Sequence, residues 1–131
     1  MKLAIGLGCD RGTPAATLAA CITEALTPIG AGIGDICAVA SIDLKADEAG
    51  LLELAQQNGW QIRFFAASEL AGVCVPNPSE VVRRHTGTPS VSEAAALLAA
   101  GTDVRHLIVE KHRLRGTDGR NATVSIARIP E

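Results

Sequence analysis

Tyrosine is absent from this 131-residue chain, and Trp60, Phe64 and Phe65 are its only aromatics. Proteins that hold single-stranded nucleic acid stack bases on aromatic rings, and this chain has almost none to offer. Positive charge is not in excess: 12 Lys and Arg stand against 14 Asp and Glu, a net charge of −2. That gives no electrostatic case for nucleic acid or an anionic membrane surface. No run approaches the ~20 apolar residues of a membrane span. The segment Met1–Cys9 is too short for a signal-peptide core.

Paired cysteines are missing too. Cys9, Cys21, Cys37 and Cys74 form no C-x-x-C and fit no zinc or redox spacing. Cys21 and Cys37 sit in apolar stretches and read as buried thiols of a reducing cytoplasm. Cys9 lies near Arg11 and a helix start, surroundings that lower a thiol pKa. His85, His106 and His112 lack metal-ligand spacing, although His106 and His112 could share one side of a strand. There is no Ser/His/Asp triad, paired-carboxylate pattern or H-E-x-x-H, and nothing calls for a cofactor or metal.

What the chain does have is alanine in abundance, and enough length for one domain, residues 1–131, with its own core. Lys2–Leu7 reads as a buried strand, and Thr13 with Pro14 as the cap and first position of a helix carrying Leu18, Ile22, Leu26 and Ile29. Ile36–Ile42 is a second strand, Ala46–Asn58 a helix stopped by Gly59, and Gln61–Phe65 a third strand. Ser68 is placed to cap a short helix. Gly72–Pro78 is irregular, Ser79 caps Glu80–His85, and Ser90-Val91-Ser92-Glu93 is a capping box opening a helix to Ala100. His106–Lys111 and Ala122–Ile129 form a hairpin around a polar loop with Gly116 and Gly119. The order predicts an α/β fold: three α/β/α layers, a mostly parallel sheet and a C-terminal antiparallel hairpin. Ligands of such sheets bind beyond the C-terminal strand ends.

Four polar segments stand out, the first two at strand ends. Gly6-Leu7-Gly8-Cys9-Asp10-Arg11-Gly12-Thr13-Pro14 joins the first strand to the first helix, where backbone N–H groups and a cation suit an anion. It is neither familiar phosphate loop: G-x-G-x-x-G needs glycine where Arg11 stands, and the Walker pattern needs lysine where Thr13 stands. A tight structural turn is the plainer reading. In Ser41-Ile42-Asp43-Leu44-Lys45-Ala46-Asp47-Glu48 the acids suit a helix N-terminus, whereas Lys45 gains nothing there and reads as a ligand contact. Thr86-Gly87-Thr88-Pro89-Ser90-Val91-Ser92-Glu93 runs into a helix N-terminus and offers hydroxyls and N–H groups to a carboxylate, though capping alone explains Ser90 and Glu93. Residues 105–120 concentrate Arg105, Lys111, Arg113, Arg115 and Arg120, either a solvated hairpin or a local anion site.

Taken in order, the Gly6–Pro14, Ser41–Glu48 and Gly87–Leu97 segments and Asn121-Ala122-Thr123-Val124-Ser125-Ile126-Ala127-Arg128 resemble the motifs of the CobE/CbiG family of cobalamin biosynthesis. They span nearly the whole chain. In that family the unit occurs alone or as the C-terminal domain of a cobalt-precorrin-5A hydrolase, which opens a δ-lactone and releases acetaldehyde. Because the chain begins at the first motif, the stand-alone form is expected. The resemblance implies a cytoplasmic protein that binds a polycarboxylate corrinoid or precorrin as carrier or accessory protein. It leaves open a precorrin hydrolase, with Glu48 or Asp43 as base, and a non-catalytic subunit of another pathway enzyme. A polycarboxylate macrocycle calls for cations and N–H clusters around an apolar floor. The expected contacts are Gly8, Cys9, Arg11 and Gly12 of the first segment, and Lys45 and Glu48 of the second. Thr88 and Ser90 come from the third, and Lys111 and Arg113 are added from charge alone.

Overall fold

The computed structural model describes residues 1–75 and 91–130. The readings for Pro76, Pro78, Ser79, Glu80–His85 and the Thr86–Ser90 turn lie outside them. Strand β1 (Leu3–Cys9) alternates, Leu3, Ile5 and Leu7 on one face, Ala4 and Gly6 on the other. Helix α1 (Ala15–Leu26) presents Leu18, Cys21, Ile22 and Leu26 to the leucine face. Strand β2 (Ile36–Ile42) follows, then a 3-10 turn (Asp43–Lys45) and helix α2 (Ala49–Asn58), which adds Leu51 and Leu54 to the same core. The 3-10 turn delays α2 by three residues relative to the Ala46 start expected from sequence. Strand β3 (Ile62–Phe65) and helix α3 (Ala67–Ala71) come next. Ser68 lies inside α3, and the N–H of Ala66 is satisfied by Glu69 Oε1 at 3.0 Å. Thr13 does not cap α1 either: its hydroxyl donates to Asp10 O at 2.8 Å, and Pro14 flanks the helix.

Helix α4 (Val91–Ala100) covers the opposite face, with Ala94, Ala95, Ala96 and Leu97 buried. It comes so close to β1 that a Cβ at Gly6 would collide with Ser92 O and Ala96 N. Ala96, Leu97 and Ala100 lie with Ala4 and Ala127, so α4 runs antiparallel to β1. Strands β4 (Leu107–Arg115) and β5 (Asn121–Arg128) complete a five-stranded sheet of order β3-β2-β1-β5-β4.

The α/β class and three layers stand. The sheet is more mixed than the sequence suggested: β1–β2 and β2–β3 are parallel, β1–β5 and β4–β5 antiparallel. The hairpin extends the main sheet, because β5 runs seven register pairs along β1, from Leu3↔Arg128 to Cys9↔Ala122.

Cys37 corrects another expectation. Cys21 is buried as read, but Cys37 is exposed. Leu3 pairs with Ile36 and Ala4 with Ala38, leaving Cys37 as the extra residue of a bulge that turns it out to solvent. The two histidines also part company. His106 sits in a 3-10 turn (Val104–His106), its Nδ1 2.7 Å from Thr102 Oγ1, while His112 Nε2 lies 2.8 Å from Glu24 Oε1 on α1.

Candidate functional site

Because β1, β2 and β3 are parallel and β4 runs with them, their C-terminal ends share one edge of the sheet. The 10–14 loop, the Asp43–Glu48 segment, the 116–120 hairpin loop and the first turn of α4 all lie there. The edge is braced by polar contacts. Asp10 Oδ2 accepts from the Asn121 backbone N–H at 2.8 Å and from Asn121 Nδ2 at 3.1 Å. Arg120 Nε donates to Arg11 O at 2.9 Å. Gly12 has φ +81°, a left-handed conformation that side chains resist.

Gly8 is not a loop residue as its motif suggested. It lies inside β1 opposite Thr123, so its backbone faces a neighbouring strand. On its α4-facing side, a Cβ would meet only Thr123 among the described residues, at 3.8 Å. Thr123 in turn pairs with Arg113, giving a row Gly8–Thr123–Arg113 across the sheet beyond the start of α4. Arg113 is exposed, and Lys111 stands two residues further from the edge. Thr88 and Ser90 lie outside the described residues. Ser92 and Glu93 of the same motif are buried in the first turn of α4, where the Ser92 and Ser125 hydroxyls meet at 2.8 Å.

Arg11 is exposed and already engaged. Its Nη1 donates to Glu48 Oε2 at 2.9 Å and to Asp47 Oδ1 at 3.1 Å, and its Nη2 to Asp47 Oδ2 at 3.3 Å. Glu48 flanks α2 without a side-chain capping bond. Its carboxylate crosses to the loop after β1 instead, and Oε1 accepts the Gly12 N–H at 2.9 Å. Burial opposes charge on Glu48, yet the Arg11 and Gly12 hydrogen bonds and the charges of Arg11 and Lys45 outweigh it, holding the carboxyl below its ordinary value. Hydrogen bonding to Arg11, then its charge, lowers Asp47 as well. With both oxygens engaged, Glu48 is a clamp and a poor general base.

Lys45 is half-buried and forms no ion pair with any described residue. Its charge acts on Cys9, Asp47 and Glu48, which places it among them. Cys9 is half-buried, and desolvation pushes its thiol up to about 11 despite Lys45, with Glu48 and Asp10 adding to the rise. An activated thiol is thus overturned: burial wins over the nearby cation. The Arg11–Asp47–Glu48 cluster was missed in sequence because the partners lie 36 and 37 residues apart. The one available signal was opposite charge in the two loops that follow adjacent parallel strands.

A cleft of about 510 Å³ lies at the opposite edge, lined by Met1, Lys2, His106, Arg128, Ile129 and Pro130. It contains none of the expected contacts. Among the described residues, no three His, Cys, Asp or Glu side chains gather to hold a metal ion. No helix among them is long and apolar enough to cross a membrane.

This sheet, with its antiparallel hairpin and its loops gathered at one edge, recurs in known proteins. Residues 3–127 match the family described as cobalamin synthesis G C-terminus, and the chain belongs to that family. It is a cobalamin biosynthesis protein of the CobE/CbiG type. Over 111 residues it is 40% identical to Protein CobE of Sinorhizobium sp, covering 83% of this chain and 71% of that protein. Over 128 residues it is 38% identical to a cobalt-precorrin-5A hydrolase of Priestia megaterium, covering 98% of this chain. It spans only 32% of that hydrolase's length. A crystal structure of CobE, a protein from the cobalamin (vitamin B12) biosynthetic pathway, superposes with a TM-score of 0.78 at 35% identity, covering 98% of this chain and 91% of that one.

Proposed function

We propose that this protein binds a polycarboxylate tetrapyrrole intermediate of cobalamin synthesis at the C-terminal edge of its sheet. It acts there in the cytoplasm as a carrier or accessory protein. One observation carries the reading: in a chain of this family, Lys45, Arg11 and the exposed Arg113 come to the same edge as Gly8, a strand position with no side chain. Cations beside a glycine position of a strand suit a flat, apolar ring fringed with carboxylates. Cys9, neutral and half-buried, packs against the core on the opposite face of β1 and would add no charge to this site.

A second reading, a hydrolase acting on a lactone-bearing precorrin, is favoured by the 38% identity to the cobalt-precorrin-5A hydrolase. The pinned state of Glu48 counts against it as the base of such a reaction. Titration with hydrogenobyrinic acid and with precorrin intermediates, followed by visible absorbance and product mass, separates the two. Binding without a change of mass supports the carrier. A changed mass favours the hydrolase and removes the carrier. No spectral response to any of these compounds removes both. Arg11→Ala and Lys45→Ala should each weaken hydrogenobyrinic acid binding by about tenfold, the range of a charge-assisted contact.

A further inference from the structure

We propose that Asp47 is a built-in stand-in for a ligand carboxylate on Arg11, so that this edge selects ligands carrying at least two carboxylates. One carboxylate is drawn to Lys45 and a second takes the place of Asp47. The inference rests on the polycarboxylate reading above and adds which ligands the site admits.

The two acids holding Arg11 are not equivalent. The Glu48 side chain is 4% exposed, the Asp47 side chain 75% and that of Arg11 62%. Glu48 also receives the Gly12 N–H, so removing it from Arg11 would disturb a buried carboxylate and a backbone donor together. Among the described side chains Asp47 receives only Arg11, at 3.1 and 3.3 Å through Nη1 and Nη2. That is the forked approach a ligand carboxylate would use. Asp47 can leave at little cost, because an exposed ion pair is worth little in water and the freed carboxylate is hydrated.

Exchange of one exposed carboxylate for another is close to neutral. A monocarboxylate therefore gains almost nothing at Arg11. Net binding needs an independent anchor, and Lys45 is the cation beside the cluster with no ion pair to a described residue. Once one ligand carboxylate is held at Lys45, the second competes with Asp47 at a high local concentration. The result is discrimination against single acids by a residue that touches no ligand when the ligand is bound.

The test is calorimetric titration of the full chain with hydrogenobyrinic acid and, separately, with propionate. The wild type should bind the first and show no heat with the second. Asp47→Asn should bind hydrogenobyrinic acid about two- to fivefold more tightly, the size expected for release of an exposed pair. It should also acquire propionate binding that Asp47→Asn/Arg11→Ala loses, and Asp47→Ser should behave as Asp47→Asn does. Unchanged or weaker binding by both Asp47 variants, with Arg11→Ala still impaired, overturns the role of Asp47 and leaves the site standing. Wild-type affinity in both Arg11→Ala and Lys45→Ala overturns the site and this inference with it.

Discussion

The backbone N–H of Gly12 donates to Oε1 of Glu48 at 2.9 Å, across 36 residues of sequence. The bond ties the loop after β1 to the start of α2, and the other oxygen of the same carboxylate holds Arg11. Glu48→Ala should cost ~1–3 kcal/mol in denaturant unfolding, because it removes the carboxylate that accepts from both the Gly12 N–H and Arg11. Glu48→Gln keeps an acceptor and should cost less. The carboxyl is held below its ordinary value of 4.5, so the unfolded chain takes up its proton first as pH falls. The contribution is present above that value and fades below it. Glu48→Gln should flatten the acid limb of the stability profile, and an unchanged limb would count against the clamp.

Gly6 and Gly8 separate packing from ligand approach. A Cβ at Gly6 meets backbone atoms of α4, whereas at Gly8 it meets Thr123 at an ordinary 3.8 Å. Gly6→Ala should destabilise by about 1–3 kcal/mol or more, because backbone cannot step aside as a side chain does. Gly8→Ala should stay within about 0.5 kcal/mol of wild type. If the macrocycle lies against β1, Gly8→Ala should still weaken hydrogenobyrinic acid binding. Full affinity in that variant would move the ring away from the strand.

Arg113 offers a test of the hairpin. It is exposed and lies in the row of Thr123 and Gly8. Arg113→Ala should change unfolding free energy by no more than about 0.5 kcal/mol while lowering corrinoid affinity several-fold, an effect that added salt should diminish. Equal affinity at low salt would restrict the site to the first two loops.

The thiols should divide into two classes. At pH 8, iodoacetamide should label the exposed Cys37 and Cys74 and spare Cys9 and Cys21, which desolvation pushes up to about 11 and about 12. Denaturation should open all four. These raised values also set an alkaline limit. Stability linked to the neutral thiols is full below the ordinary 9.0 and is lost as pH rises through about 11 and 12. Labelling of Cys9 as fast as Cys37 would contradict its burial.

Local pattern carried the reading of the elements a long way. The alternation in β1, the bounds of β2 at Ile36 and Ile42 and the stop of α2 at Gly59 all follow from neighbouring side chains. Local reasoning failed where two nearby groups compete for one capping role. Thr13 serves the Asp10 carbonyl three residues back instead of a helix end, and Glu69 takes the capping role expected of its neighbour Ser68. Cys37 turned outward because of a pairing irregularity that no spacing of its own strand records.

The amino-acid sequence by itself determined the α/β class, the run of elements and the segments at the strand ends, since apolar period and turn chemistry act over a few residues. Its four ordered motifs also pointed to the family that residues 3–127 match. Only the tertiary structure decided that β5 lies against β1, which carries the hairpin into the main sheet and Arg113 to the candidate edge. It also decided that Arg11 is held by Asp47 and Glu48 while Lys45 is left without an ion pair among the described residues. The reason is distance along the chain: those charges meet because parallel strands end side by side, and which cation keeps a partner depends on how two loops pack.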